Sequence, residues 1–154
     1  MNNTNDNNVD IKKMSLAEFY RYQYLFDEQQ NYHYNLCHPC PEKFMVYTFE
    51  KLQQAFNEDS IIFFVLFINN NAVGFATLDI GETYHCVGDL FLQEKYRGMG
   101  YGRKLLETVI CYHNQYINTH LGIELSITIG NEKAMAFYEK LGFRLSGYKM
   151  FLNT

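Results

Sequence analysis

The pattern of this chain predicts a mixed α/β fold, a central sheet with helices on its faces, and three observations lead there. Two strand-like apolar runs, Ile61–Ile68 and 72–80, are joined by Asn69-Asn70-Asn71; Asn tolerates positive φ, so a hairpin follows. Residues 87–92, 100–116 and 124–129 read strand, helix, strand, and strands joined through a helix lie parallel. The chain has 154 residues, 47% of them hydrophobic and 19% charged, which suits one domain able to fold without a disulfide or metal.

The elements follow in order. Residues 1–8 are Asn-rich and expected to form a disordered tail, leaving 9–154 as a single domain. Residues 9–14 read as a first strand. Ser15 with Glu18 three residues later forms a capping box, so a helix is expected from Leu16 to about Phe26. Residues 29–47 look irregular. Thr48 caps a helix to about Phe56, with Phe49, Leu52, Ala55 and Phe56 at helical spacing. After the hairpin, 85–92 reads as one strand and 93–102 as a polar, Gly-rich connection. Leu105, Leu106, Val109, Ile110 and His113 mark one face of the helix over 100–116. The β-branched run 124–129 is a strand. Asn131 caps a helix carrying Ala134, Phe137, Tyr138 and Leu141, with Gly142 at its end. Residues 143–152 should be strand-like again, bent at Gly147. There is no internal repeat and no interdomain linker.

Composition excludes several classes of function. Thirteen basic against seventeen acidic residues give a net charge of −4, which disfavours nonspecific binding to nucleic acid or anionic lipid. The longest apolar run, Ile61–Ile68, is too short to span a bilayer. Residues 1–8 have neither the basic nor the apolar part of a secretory signal, so a cytoplasmic protein is expected. Its four cysteines, Cys37, Cys40, Cys86 and Cys111, should then be free thiols. Cys37-His38-Pro39-Cys40 can be loop thiols, half a metal site or a redox pair; no second pair at zinc spacing follows, and no metal is expected.

The most informative stretch runs from Leu90 through Arg97-Gly98-Met99-Gly100-Tyr101-Gly102 to Leu106. A strand ends at Leu92 and a helix begins near Gly100. Three alternate glycines let backbone N–H groups turn towards a ligand without obstruction by Cβ. The helix start adds unpaired donors and a partial positive charge. Together these make a pyrophosphate cradle. Lys95, Arg97, Arg103 and Lys104 add four cations, and Arg97, Arg103 and Lys104 could pair with further phosphates. A P-loop needs a hydroxyl residue where Leu105 stands, and a dinucleotide fingerprint needs G-x-G-x-x-G rather than G-x-G-x-G. The pattern R-x-x-G-x-G, from Arg97 through Gly100 to Gly102, resembles the coenzyme A pyrophosphate loop of the GNAT superfamily of N-acetyltransferases. Alone, a glycine turn capping a helix accounts for it equally well.

A second block, Asn131-Glu132-Lys133-Ala134-Met135-Ala136-Phe137-Tyr138-Glu139-Lys140-Leu141-Gly142-Phe143, resembles the other GNAT signature, N-x-x-A-x-x-F-Y-x-x-x-G-F, at every specified position. A capped amphipathic helix explains the residue types; it does not explain their place, 29 residues after Gly102 with one strand between. The resemblance runs from about residue 60 to the C-terminus. It implies a mostly antiparallel sheet with a splayed parallel pair, and acetyl-CoA as co-substrate in the gap between the strand of Phe91 and Leu92 and the strand 124–129. It also implies coenzyme contacts by Phe91, Leu92, Arg97, Gly98, Met99, Gly100, Tyr101, Gly102 and Asn131. An amide near Phe91 or Leu92 would polarise the acetyl carbonyl, and Tyr138 would be the general acid beside the sulfur.

An amine acceptor, small or peptidic, attacking directly within a ternary complex is the expected chemistry. An amine of pKa ~10.4 is only ~0.04% neutral at pH 7, so a proton must leave it. The position five residues before Asn131, where relatives can carry a carboxylate, is Ser126. That leaves Glu124, Glu82, His85, Asp89 or a water chain as base. The aromatic and acidic residues Tyr20, Tyr22, Tyr24, Phe26, Asp27, Glu28, Tyr32 and Tyr34 favour a cationic acceptor if they line its pocket; as a helix face and a solvated loop they need no such role. A homodimer is compatible with the resemblance. A non-catalytic acyl-CoA sensor, or a nucleotide-binding regulator using the glycine bend, are the competing readings.

Overall fold

The structure is a computed structural model and describes residues 8–36, 48–55, 57, 59–117, 120–128 and 130–148. Of the expected tail over 1–8, residues 1–7 lie outside the described residues, as do the Cys37/Cys40 pair and the end of the last expected strand; Asn8 is tied to Asn69 by two hydrogen bonds. In chain order the elements are β1 (Val9–Met14), α1 (Leu16–Phe19), a 3₁₀ turn (Tyr20–Tyr22), α2 (Gln23–Leu36), α3 (Phe49–Ala55), β2 (Ile61–Ile68), β3 (Asn71–Ile80), β4 (His85–Val87), β5 (Leu90–Leu92), a 3₁₀ turn (Glu94–Tyr96), α4 (Tyr101–Tyr112), a π-turn (His113–Ile117), β6 (Ile123–Leu125) and α5 (Glu132–Lys140). The strands form one sheet in the order β1-β2-β3-β4-β6, with β5 also paired to β3. All pairs are antiparallel except β4 with β6. This is the mixed, mostly antiparallel sheet with one parallel pair that the sequence predicts.

The core has two layers because β2 and β3 are apolar on both faces, as strands covered on both sides must be. Towards α1–α3 the layer is aromatic: Phe19, Phe26, Phe63, Phe75 and Phe91 are buried there, with the rings of Phe19 and Phe63 stacked at 4.0 Å. Towards α4 it is aliphatic: Leu66, Leu78, Leu105, Leu106 and Val109. The hairpin turns on Asn69 and Asn70, with φ of 51° and 65°. The capping box forms as expected, Ser15 N donating to Glu18 Oε2 at 2.7 Å and Glu18 N to Ser15 Oγ at 3.2 Å. Among the described residues no helix is long and apolar enough to cross a membrane.

Four expectations are corrected. The helix from Leu16 does not end near Phe26; it is interrupted by the first 3₁₀ turn and then continues through residues 29–36, where Gln29 bonds Asp89 in the break between β4 and β5 and Tyr32 receives Arg97. The strand 85–92 is two strands, broken at Gly88 and Asp89. The strand 124–129 contracts to β6, since only β4 offers it a partner. Residues 143–148 form no strand.

Candidate active site

The break between β4 and β5 organises the site. Asp79 pairs with Cys86 on β4, whereas Phe75 pairs with Phe91 on β5, so the register slips by one residue between them. That is a bulge at Gly88-Asp89, and bulges bend strands and re-aim side chains. Gly88 is required there: a Cβ would fall on Asp79 Oδ2 and lie 2.8 Å from Thr77 Oγ1. Beyond the bulge β5 follows β3, while β6 keeps only β4 for company. The parallel pair splays apart at this point.

The phase of the ladder decides what faces the opening. Gln93 N donates to Val73 O and Thr77 N to Asp89 O, both at 3.0 Å. Gly74–Leu92 and Ala76–Leu90 are therefore the pairs without mutual hydrogen bonds, and Phe75–Phe91 is the bonded one. The N–H groups of Leu90 and Leu92 point away from β3, into the gap. The main chain of Phe91 is spent on Phe75, and its ring is buried. Of the two residues expected to offer an amide, the ladder leaves Leu92, and adds Leu90.

At the end of β5 the chain enters the glycine bend. Gly98 and Gly100 have φ of 74° and 85°, and a Cβ on either would meet nothing within 4 Å, so space for a ligand lies over both. Gly100 caps α4 without a side-chain hydrogen bond. The first donor satisfied inside the helix is Lys104 N, to Gly100 O at 3.1 Å; the N–H groups of Tyr101, Gly102 and Arg103 precede it. An uncapped helix start beside two left-handed glycines suits a pyrophosphate. Met99 is exposed beside them and Tyr101 is half-buried. Arg97 and Arg103 have partners within the protein. Arg97 donates Nε to Leu92 O at 2.8 Å and lays its guanidinium over Tyr32 at 4.4 Å and Phe91 at 5.6 Å. Arg103 pairs with Glu107 at 2.8 Å. Arg97 thus ties the bend to α2, and its stacking on two rings explains why the side chain turns inward.

On the far side of the gap Asn131 caps α5, its Oδ1 accepting from Ala134 N at 3.2 Å. The helix ends in a Schellman turn, with Phe143 N donating to Tyr138 O and Gly142 N to Glu139 O. Tyr138 is held against Phe137 and Phe143. Burial, then the charges of Asp89 and Cys86, push its phenol up to about 12. The phenol therefore lies within the electrostatic reach of the bulge.

The carboxylates sort by face. Cross-strand partners share a face, so Asp79, Cys86 and Glu124 form one row across β3, β4 and β6. Thr77 and Asp79 lie on the face of Phe75 by period two, the side covered by α1–α3. Gln29 Nε2 of α2 donates to Asp89 Oδ1, and Asp89 N donates to Thr77 Oγ1 at 2.9 Å. Burial and the neighbouring Asp89 raise the Asp79 carboxyl to about 7; burial also raises Asp89, against the pull of Gln29 and Thr77. Glu82 and Glu124 are exposed. His85 is buried on the opposite face, its Nδ1 2.8 Å from His113 Nε2, and burial lowers its pKa. Its ring joins β4 to the end of α4. A recess of about 370 Å³ lies beside His113, between the π-turn and β6.

The sequence reading missed Asp79, Thr77 and Gln29. A signal for Asp79 exists: it ends an apolar run in phase with Phe75, so period two puts a carboxylate on a buried face. Gln29 carries no such signal.

Residues 22–143 match the acetyltransferase (GNAT) family. No curated protein matches the chain. Among solved structures, a PaiA N-acetyltransferase from Thermoplasma acidophilum in complex with coenzyme A is similar at a TM-score of 0.71 and 20% identity, over 92% of this chain and 93% of that one. An aminoglycoside acetyltransferase from an uncultured soil metagenomic sample, in complex with trehalose, is similar at 0.68 and 18%, over 95% of each chain. A ribosomal-protein-alanine N-acetyltransferase from Brucella melitensis biovar Abortus 2308 is similar at 0.63 and 14%, over 96% of this chain and 100% of that one. These likenesses are of fold, and the match over 22–143 adds the sequence: the chain belongs to the acetyltransferase (GNAT) family.

Proposed function

We propose that this protein transfers an acetyl group from acetyl-CoA to the amine of a small molecule or peptide, by direct attack within a ternary complex. The observation that carries the reading is the coincidence at one point of three unrelated features. The sheet splits at Gly88-Asp89, the amides of Leu90 and Leu92 face the split, and Tyr138 packs on the aliphatic layer that takes in Val87 and Leu92 on either side of it. The aminoglycoside and ribosomal-protein-alanine acetyltransferases among the similar structures support an amine as acceptor.

The coenzyme supplies an acetyl group already activated as a thioester. The bend over Gly98, Met99 and Gly100 and the start of α4 would hold its diphosphate. Leu92 and Leu90 N–H would hydrogen-bond the pantetheine arm and the acetyl oxygen, where charge develops. Asn131, with Oδ1 used as a cap, keeps its NH₂ for the arm. Tyr138 would supply the proton that the departing sulfur needs. A phenol at about 12 stays protonated at working pH. It is also too weak an acid to lose its proton outright to a thiolate of pKa ~8.5. Tyr138 is better suited to relay, giving one proton as it receives another from the nitrogen.

Calorimetry with acetyl-CoA, ATP and NAD, followed by a thiol-release assay over polyamines, amino acids, aminoglycosides and peptides, tests the reading. The expected result is binding of acetyl-CoA alone and thiol release with at least one amine. Binding without release on any amine would leave the sensor reading standing; preference for ATP or NAD would overturn both.

A further inference from the structure

We propose that Asp79 is a positioning residue for the acyl transfer: it shares a single proton with Asp89 across Thr77, and so sets the readiness of Asp89 to take the proton of the acceptor's ammonium group. The inference rests on the amine-acetylating reading above and names a residue which that reading does not use.

Two aspartates and one buried hydroxyl lie together at the bulge. The bulge turns Asp89 back towards β3, and the missing Cβ of Gly88 lets the backbone close over Asp79 Oδ2. Thr77, fully buried, accepts from Asp89 N at 2.9 Å, and a Cβ on Gly88 would fall on Asp79 Oδ2 and lie 2.8 Å from Thr77 Oγ1, so the hydroxyl stands beside the Asp79 carboxyl. A hydroxyl has one proton and serves one carboxylate at a time. Gln29 Nε2 serves Asp89. Asp79 Oδ1 is buried with no hydrogen-bond partner. An orphan acceptor in a low dielectric beside a second carboxylate is expensive if both are ionised, and two such groups titrate as a pair.

Among the described residues nothing cationic pairs with either carboxyl. Among the described residues the titratable groups near the pair are Cys86, opposite Asp79 in the ladder, and Tyr138 from α5, on whose phenol Asp89 acts; α2 contributes the neutral Gln29. The ion pairs among the described residues, Lys12–Asp10 and Arg103–Glu107, belong to exposed side chains elsewhere. The pair therefore favours one proton, or one positive charge brought by a ligand. An alkylammonium acceptor supplies both. The balance closes over a turnover: a C–N bond forms, the C–S bond breaks, and the nitrogen gives up two protons. One reaches the sulfur through Tyr138. The other passes to Asp89 and, as the pair resets, to water. Tyr138 comes from α5, whereas Asp89 is held by Gln29 of α2, so the two protons leave through different groups.

The test is a carboxyl-carbon NMR titration of the full chain labelled with ¹³C-aspartate, in wild type and in Asp79→Asn. The expected result is that both carboxyl carbons move in both of two well-separated steps, and that in Asp79→Asn the Asp89 carbon moves in one step at lower pH. A single Asp89 step, unmoved by the substitution, overturns the proposal. If Asp79→Asn fails to fold, the wild-type titration decides alone, since independent carboxyls would each show one step. On an amine that turns over, Asp79→Asn should move the rising limb of kcat about one unit to lower pH with KM for acetyl-CoA unchanged, and Asp79→Glu should restore it. An unchanged limb also overturns the proposal. The titration needs no substrate, so an absence of turnover with every amine counts against the proposed function and not against the pair.

Discussion

The half of the molecule built on β1, β2 and β3 differs sharply from the half built on β4, β6 and α5. In the first, the ladders run six and eight residue pairs, and residues such as Phe63, Phe75, Leu66 and Leu78 have no more than trace exposure. In the second, β4 and β6 share three pairs, and no residue of β6 or α5 is more than partly buried. Yet the second half carries Asn131, Tyr138 and one wall of the gap. The closed half holds the fold, and the open half keeps backbone donors and ring faces unspent for a ligand that would finish the wedge. Low local stability is where binding elements are expected.

The comparison breaks first on core substitutions. Phe75→Ala should destabilise by about 3–5 kcal/mol, the range for a buried Phe, measured by urea unfolding with an unchanged slope. Phe143→Ala, half-buried beside Tyr138, should lose about 1 kcal/mol. Equal losses would mean that the open half is as integral to the fold as the closed one. Acetyl-CoA at a hundred times its Kd should add about 2.7 kcal/mol to either variant, and hydrogen exchange should slow chiefly over 120–148.

Asp79 lies where the halves meet and should show a trade of stability for function. Its carboxyl at about 7 stands above its unfolded value. Between the two, the native state holds a proton that the unfolded state has lost. Stability from this group is present at low pH and is lost as pH rises through 7, a difference on the order of 4 kcal/mol. Asp79→Asn should therefore be the more stable protein at pH 8, with the advantage gone by pH 4. His85 runs oppositely: its lowered pKa contributes stability above the usual His value that is lost as pH falls. Thermal melts of Asp79→Asn across pH should show the His85 slope uncovered, with stability rising from pH 5 to 7.

Tyr138→Phe sharpens the comparison from the open side. It keeps the ring that packs on Phe137 and Phe143 and removes the hydroxyl. Turnover in the thiol-release assay should fall about 100-fold, as for a lost general acid, while acetyl-CoA affinity and melting temperature stay as in wild type. A variant that turns over normally would remove the phenol from the chemistry.

What could be read from the sequence was local. Ser15 with Glu18, Asn69 with Asn70, and Asn131 with Gly142 each act within a few residues, and each forms as expected. The glycine bend is legible for the same reason. What escaped depends on distant partners. Residues 29–36 are polar and read as loop, but Gln29 reaches Asp89, sixty positions away, and Tyr32 receives Arg97. The break at Gly88 has no local cause: it comes from a one-residue mismatch between β4 and β5 against a common partner. The inward contacts of Arg97 lie on α2 and β5, which only the fold brings to it.

Gly102→Ala gives the smallest effect and the cleanest separation of the two halves. Gly102 lies in the first turn of α4, outside the left-handed region, and a Cβ there would touch Leu92 Cδ1 at 3.4 Å and Phe137 Cζ at 3.8 Å, ordinary contacts. The fold does not need glycine at this position; replacing it in a helix should stabilise by about 0.5–1 kcal/mol. The new methyl would stand between β5 and α5, at the head of the gap where the coenzyme arm would enter. Acetyl-CoA affinity by calorimetry should drop about tenfold, near 1.4 kcal/mol, while the urea midpoint rises. Loss of stability instead would mean that the bare Cα serves packing between α4 and α5; an unchanged affinity would mean that the arm runs elsewhere.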